Sequence, residues 1–186
     1  MKINKVTITT KKKRDYIAIE FDNILVSPDK QMFDEKYIKK SNQLMSRSLS
    51  DVLEKLEPHL LYSTELCDTS IILGKDIDAK KFFDNFEFRA EERFQGLKVT
   101  GIEFIGNNDV IDSVKLKGYR ETQLTDKGFK VKFETPVINL DRAAENHYPL
   151  VHLLDEQIND LHTALLAWHQ KGETLSVAQQ AMFEEA

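Results

Sequence analysis

Lysines at alternate positions are the side chains whose type and spacing point most directly to a chemistry in this chain of 186 residues. Lys115, Lys117 and Tyr119 lie two apart, as do Lys130 and Lys132. Two is the side-chain period of a β-strand, so each set shares one face of its strand. Four consecutive cations, Lys11, Lys12, Lys13 and Arg14, stand just before Tyr16. Cationic groups held in a band bind phosphates by charge, and a tyrosine among them offers a ring on which a base stacks. These residues are the candidate nucleic-acid-binding set. A solvated sheet face has the same pattern, and Glu103 and Glu134 dilute it.

Signals for other chemistry are weak. The seven glycines form no phosphate-binding loop, and no zinc-protease motif occurs. His152, Asp155 and Glu156 fall within two turns of one expected helix, and His162 and His169 are seven apart. Without further ligands they read as helix-surface residues. No serine has a glycine elbow. Cys67 is the only cysteine, so no internal disulfide or thiolate cluster is expected, and it reads as a small apolar core residue. Nothing in the sequence pairs two carboxylates as acid and base. The expectation is a protein without catalytic residues, metal or cofactor. An enzyme whose site is assembled only in three dimensions is a third reading.

Composition fits a globular protein, with 41% hydrophobic and 31% charged residues. No apolar run reaches the length of about 20 residues that a membrane-spanning helix needs. With no signal-peptide pattern at the start, a cytoplasmic protein without membrane partners is expected. The net charge of −5 is unevenly spread. Residues 1–50 hold 11 Lys/Arg against 6 Asp/Glu, and the remainder 15 against 25. Basic and acidic halves allow contact with a nucleic acid, and equally allow the halves to attract each other.

The elements that must hold the lysines follow from periodicity. Residues 4–10 and 16–26 alternate as two strands, a hairpin with the basic cluster at its tip. Residues 30–47 are polar, Lys-rich and poorly periodic, and read as an insertion, either a loose helix or a loop. Leu49, Val52, Leu53, Leu56, Leu60 and Leu61 fit a helix over residues 48–61, with Ser48 or Ser50 as its cap. Pro58 should end or kink it. His59 reads as a structural or surface histidine. Residues 69–73 form a short strand or a helix extension. Residues 77–94 read as a helix capped by Asp78, with Phe82, Phe83 and Phe86 in the core. Leu97 to Leu140 contains three consecutive strands with polar turns at residues 106–109 and 125–128, and Pro136 breaks the last ladder. A long helix over 149–171 carries the stripe Leu150, Leu154, Ile158, Leu161, Leu165 and Trp168 and stops at Gly172.

Two stretches together resemble a group of small uncharacterised proteins of tailed bacteriophages and prophages. One is Ser50-Asp51-Val52-Leu53-Glu54-Lys55-Leu56-Glu57-Pro58-His59-Leu60. The other is Val99-Thr100-Gly101-Ile102-Glu103-Phe104, then Val114-Lys115-Leu116-Lys117-Gly118, Thr135-Pro136 and the terminal helix. The resemblance covers about half of the chain and implies no catalytic residues. It implies a setting among phage replication and recombination functions, in the cytoplasm of a bacterial host. The order of strands and helices is similar to the repeated sheet-plus-helix plan of Whirly-type single-strand binders. The ending Met182-Phe183-Glu184-Glu185 resembles the acidic-aromatic tails of bacterial single-strand-binding proteins.

The expected fold is α+β. An N-terminal two-strand hairpin and a three-strand meander form one antiparallel sheet, covered on one face by helices including the long C-terminal one. Residues 1–172 form one domain, with 28–47 and 67–95 as insertions and 173–186 as a tail. The leading expectation for function is a phage or prophage accessory protein that binds single-stranded nucleic acid through the basic sheet face. The alternative is a protein-interaction module, a structural or assembly component or an inhibitor of a host factor, acting through its acidic helix face and its tail. Homo-oligomerisation through an edge strand near Pro136 is compatible with either.

Overall fold

Apolar residues at every second position set the sheet. In the computed structural model, β1 (Lys2–Lys11) and β2 (Arg14–Val26) pair antiparallel from Lys2↔Asp22 to Lys11↔Arg14. Val6, Ile8, Ile17 and Ile19 are buried on one face, while Lys5, Thr7, Tyr16 and Ala18 take the other. The chain continues through β3 (Met32–Lys40), α1 (Arg47–Glu54), α2 (Glu57–Tyr62), α3 (Ala79–Asp84) and two short 3-10 turns, Glu87–Ala90 and Glu92–Phe94. β4 (Leu97–Ile105), β5 (Ser113–Thr122), β6 (Phe129–Glu134), β7 (Ile138–Asn139) and α4 (Val151–Lys171) follow. The structure describes residues 2–11, 14–26, 32–41, 45–64, 78–106, 110–122, 129–141 and 148–171, with 23–26, 32–35, 170 and 171 as backbone only.

The strands form one antiparallel sheet in the order β3-β2-β1-β4-β5-β6, and β7 pairs with β5 beyond the end of β6. The expected antiparallel sheet is larger than a two-strand hairpin plus a three-strand meander: β3 adds to the hairpin, β7 adds to β5, and β1 and β4 join the two parts. That join is short: only Lys5, Val6 and Thr7 pair with Glu103, Ile102 and Gly101. At the far side Pro136 breaks the outer strand, as its missing N–H requires. Thr135 bridges the gap. Its N–H donates to the Leu116 carbonyl at 3.0 Å, and its Oγ1 accepts from the Leu116 N–H at 2.9 Å.

One face of the sheet is dry. Leu150, Val151, Leu154, Ile158, Leu161 and Leu165 of α4 and its lead-in are fully buried, as are Leu56 and Leu60 of the α1–α2 unit. Each such side chain stabilises the fold by about 2 kcal/mol through burial. The helix stripe read from the sequence is therefore the core stripe. Its C-terminal end packs on the N-terminal half, where His169 meets the Phe21 ring. Earlier in the helix, His162 meets Phe104 of β4. α4 thus ties together the two halves that the short β1–β4 ladder joins.

Four expectations need correction. Residues 32–40 form an edge strand instead of a loose helix or loop. An edge strand is only half covered, so hydrophobic alternation does not mark it. Ile38 lies exposed on the open face, and Lys39 points to the helix side, donating to the His169 carbonyl at 2.9 Å beneath Trp168. The helix over 48–61 is two helices, capped by Ser46, whose Oγ accepts from the Leu49 N–H. Pro58 sits in the first turn of α2, where no amide is needed. The helix over 77–94 stops at Asp84, although Asp78 caps it as expected. At 100° per residue, continued helix would carry Phe88 to the side opposite Phe82 and Phe86. The chain instead turns at Phe86, in the left-handed region at φ 55°, and Phe88 joins Phe82, Phe83 and Phe94 in the core. The Arg89 guanidinium lies 4.1 Å from the centre of the Phe86 ring and the Lys55 ammonium 5.8 Å from it. Finally, Phe129 and Val131 of β6 lie on the dry side yet are 59% and 38% exposed, because the helical layer packs over β4 and β5 and ends short of β6. The readings at residues 69–73, 107–109, 125–128 and 172–186 lie outside the described residues.

Gly118 lies where α2 packs tightly on the sheet. A Cβ there would lie 2.5 Å from Leu60 Cδ1 and 2.4 Å from the Lys98 carbonyl. At Gly101 the nearest atom would be 3.5 Å away, an ordinary contact. Gly118→Ala is expected to destabilise by about 1–3 kcal/mol through overpacking, with Gly101→Ala costing clearly less. Urea unfolding of both variants checks this, and equal losses would contradict the packing described.

Candidate functional site

The register lays the open face out in rows. Lys40, Ala18, Thr7, Gly101, Lys117 and Glu134 form one row across six strands. Ile38, Glu20, Lys5, Glu103 and Lys115 form the next. In these rows cations meet carboxylates. Lys117 bonds Glu103 at 2.7 Å and reaches Glu134 at 3.6 Å, Lys115 bonds Glu134 at 2.5 Å, and Lys5 reaches Glu20 at 3.6 Å. The hydrogen bond to Glu103 raises the Lys117 pKa, and the bond from Lys115 lowers that of Glu134. The middle of the face is a checkerboard of paired charge. A phosphate arriving there competes with carboxylates already in place.

The end of the face nearer the β1–β2 tip differs. β1 and β5 both run towards it, so Lys11, Arg14 and Tyr16 lie at the same end as Tyr119 and Glu121, beyond the Thr7–Gly101–Lys117 row. β6 adds Lys132 opposite Tyr119 and Lys130 opposite Glu121. Lys11, Arg14, Lys130 and Lys132 are exposed, and none forms an ion pair with another described residue. The Lys130 ammonium lies 4.1 Å over the Tyr119 ring, so that ring is capped rather than open. Asp15, the tip carboxylate, is taken by Lys98 at 2.5 Å and by the Thr10 hydroxyl at 2.6 Å. The structure therefore gathers Lys11, Arg14, Tyr16, Tyr119, Lys130 and Lys132 at one end and ties Lys115 and Lys117 to glutamates at the centre. Lys12 and Lys13 lie outside the described residues.

A second polar group lies inside the core, where the sequence reading places none. His59 is fully buried and stacks on Phe83. Its Nε2 donates to Gln157 Oε1 at 3.1 Å, which leaves Nδ1 to accept from the Tyr148 hydroxyl. Burial lowers the His59 pKa to about 3 and raises that of Tyr148, so both are neutral. With every polar atom of the ring bonded inside the core, the group pins α2, α4 and the segment before α4 together. Gln157 carries a signal in the sequence, because it interrupts the apolar stripe of α4 at a buried position. Near His59 in sequence, Glu57 is pushed up to about 8, first by burial and then by the Glu54 charge, with Lys98 and Arg89 opposing. Among the described residues, no group of three or more His, Cys, Asp or Glu is placed to hold a metal ion. The cleft lined by Lys2, Phe104, Val110 and His162 has a volume of about 10 Å³, room for about one water.

No protein-family profile matches this chain, and no curated protein or solved structure matches it. Among the described residues, no helix is long and apolar enough to cross a membrane.

The two shifted groups set opposite pH dependences. His59 is protonated in the unfolded chain below its ordinary value of 6.5 but not in the fold until about 3, so stability falls as pH drops through that window. Glu57 keeps its proton in the fold up to about 8, against an ordinary value of 4.5, so stability falls as pH rises through that window. The slopes cancel where the windows overlap. Stability is expected to be level in weak acid and to decline on either side by on the order of 1 kcal/mol per pH unit. Denaturation at a series of pH values checks this: Glu57→Gln should remove the decline on the alkaline side and replace the level stretch with a fall towards acid that begins at the ordinary histidine value of 6.5.

Proposed function

We propose that the protein is a non-catalytic binder of single-stranded nucleic acid that uses the cationic end of its open sheet face. The observation that carries the reading is that Lys11, Arg14, Lys130 and Lys132, all without an ion pair among the described residues, share one end of the open face with Tyr16 and Tyr119. The neighbouring strands β1 and β2 supply Lys11 and Arg14, and β6, beyond β4 and β5, supplies the two lysines. Exposed cations take phosphates, and Tyr16 on the same face takes a base, without reading sequence, while the Tyr119 ring holds Lys130. Lys115 and Lys117 act in this reading by balancing Glu103 and Glu134. A role as a phage or prophage accessory protein in replication or recombination rests on the motif resemblance and belongs to the same proposal, as does a bacterial cytoplasmic setting.

A second reading, as a protein-interaction module, is favoured by one observation. Ile38 on one edge strand and Phe129, Val131 and Val137 along the other side of the sheet are exposed apolar side chains.

Fluorescence anisotropy with labelled oligo-dT and a matched duplex, across a salt series, tests the first reading. Tighter binding to the single strand, weakening as salt rises, is expected. Arg14→Glu with Lys132→Glu should lower affinity by about tenfold or more, and the log–log salt slope by about 0.7 for each phosphate no longer neutralised. Lys115→Gln with Lys117→Gln should cost much less. Absence of binding at low salt removes this reading and leaves the interaction module.

A further inference from the structure

We propose that β6 pairs with β6 of a second copy of this chain, antiparallel about a two-fold axis through Lys132. β6 is the last strand in the sheet order, and no described residue pairs with its outer edge. Its dry-side residues Phe129 and Val131 lie beyond the helical layer and remain exposed. An exposed strand edge of this kind is a template for another strand.

Lysines on an edge ordinarily discourage pairing. Here the sequence of the strand turns that rule around. A two-fold axis normal to the sheet keeps side chains on their own faces, which admits a register centred on Val131 or one centred on Lys132. Centring on Val131 sets Lys130 of each copy against Lys132 of the other, like charge on like charge. Centring on Lys132 sets Lys130 against Glu134 twice and Val131 against Phe133 twice. The only like-charged pair left is Lys132 with its own copy, on the wetted face. Opposite-charge and apolar cross-strand pairs each add roughly 0.2–1 kcal/mol, and like charges directly opposite subtract.

Glu134 is exposed at the edge strand, with Lys115 and Lys117 of its own sheet both at its Oε1. Lys130 lies between Glu121 of its own sheet and the edge, so Glu134 of a second copy would stand on its other side. Pairing would also cover Val131 with the Phe133 ring of the second copy. The inference does not depend on nucleic-acid binding.

Sedimentation equilibrium of the full chain over a range of concentrations is the test. The expected result is a species of twice the 21.5 kDa chain mass. Lys130→Glu should weaken association at least about tenfold, since it faces Glu134 with another carboxylate. Lys130→Glu combined with Glu134→Lys should restore it. The register is read by oxidation in a Cys67→Ser background. Residues facing themselves across an antiparallel pair lie about 4.5–5.5 Å apart, within disulfide reach. Lys132→Cys should therefore cross-link two copies and Val131→Cys should not. A full-length chain that stays monomeric at the highest concentration gives the edge to another occupant and overturns the proposal. So does cross-linking through position 131 in place of 132, or a charge swap that fails to restore association.

Discussion

A sheet wetted on one face has only its other face on which to build a core, and α4 is the element that closes it. Its apolar stripe runs from Leu150 to Trp168 without an exposed break, and it touches both halves of the sheet, at Phe21 of β2 and at Phe104 of β4. The α1–α2 unit fills the rest of that layer through Leu49, Leu53, Leu56 and Leu60. Once that layer is in place, the backs of the same strands must remain polar. The open face, with its cations and tyrosines, is the remainder of the core's geometry.

Within that remainder the charges sort by distance from glutamate. At the centre each lysine has a carboxylate one strand away, and the pairs satisfy one another in the open. Exposed pairs of this kind contribute little to stability. Their effect is to cancel field at the centre of the face and leave it at the end where Lys11, Arg14, Lys130 and Lys132 outnumber Glu121. Tyr119, capped by Lys130, lies at the boundary between the two regions. Inside the core the opposite policy holds. His59, Tyr148 and Gln157 are uncharged and bonded to each other, as a low-dielectric interior requires.

Much of this is legible in the residues. Strict alternation in β1, β5 and β6 and the stripe of α4 reveal those elements, because each presents one continuous apolar side. β3 escapes such a reading where that condition fails: at an edge, Ile38 faces water and Lys39 faces the helix, so alternation carries the wrong sign. Phenylalanine spacing overextends the helix after Asp78, because a left-handed turn at Phe86 changes the direction of the chain. At the candidate site, period two places Lys115, Lys117 and Tyr119 on one face correctly. Which of them is neutralised depends on the register between β4, β5 and β6, and a strand does not carry its neighbour's register in its own sequence. Tyr148 reads as part of a polar connection, and only its distant partner, His59, gives it a buried role.

The join between β1 and β4 bears on how the chain comes together. The contacts of β1 with β2, of β2 with β3, of β4 with β5 and of β5 with β6 are made between neighbours in sequence, and β7 returns to β5 across one strand, so each half assembles locally at small entropic cost. Lys5, Val6 and Thr7 meet Glu103, Ile102 and Gly101 across the greater part of the chain. Closing that distance costs loop entropy before the ladder forms, and the ladder has only three residue pairs with which to offset it. The closure is held by Val6 and Ile102, both fully buried against the helical layer. Assembly of the core and closure of the sheet are therefore one event: the halves are zipped together by what packs beneath them more than by the bonds between them.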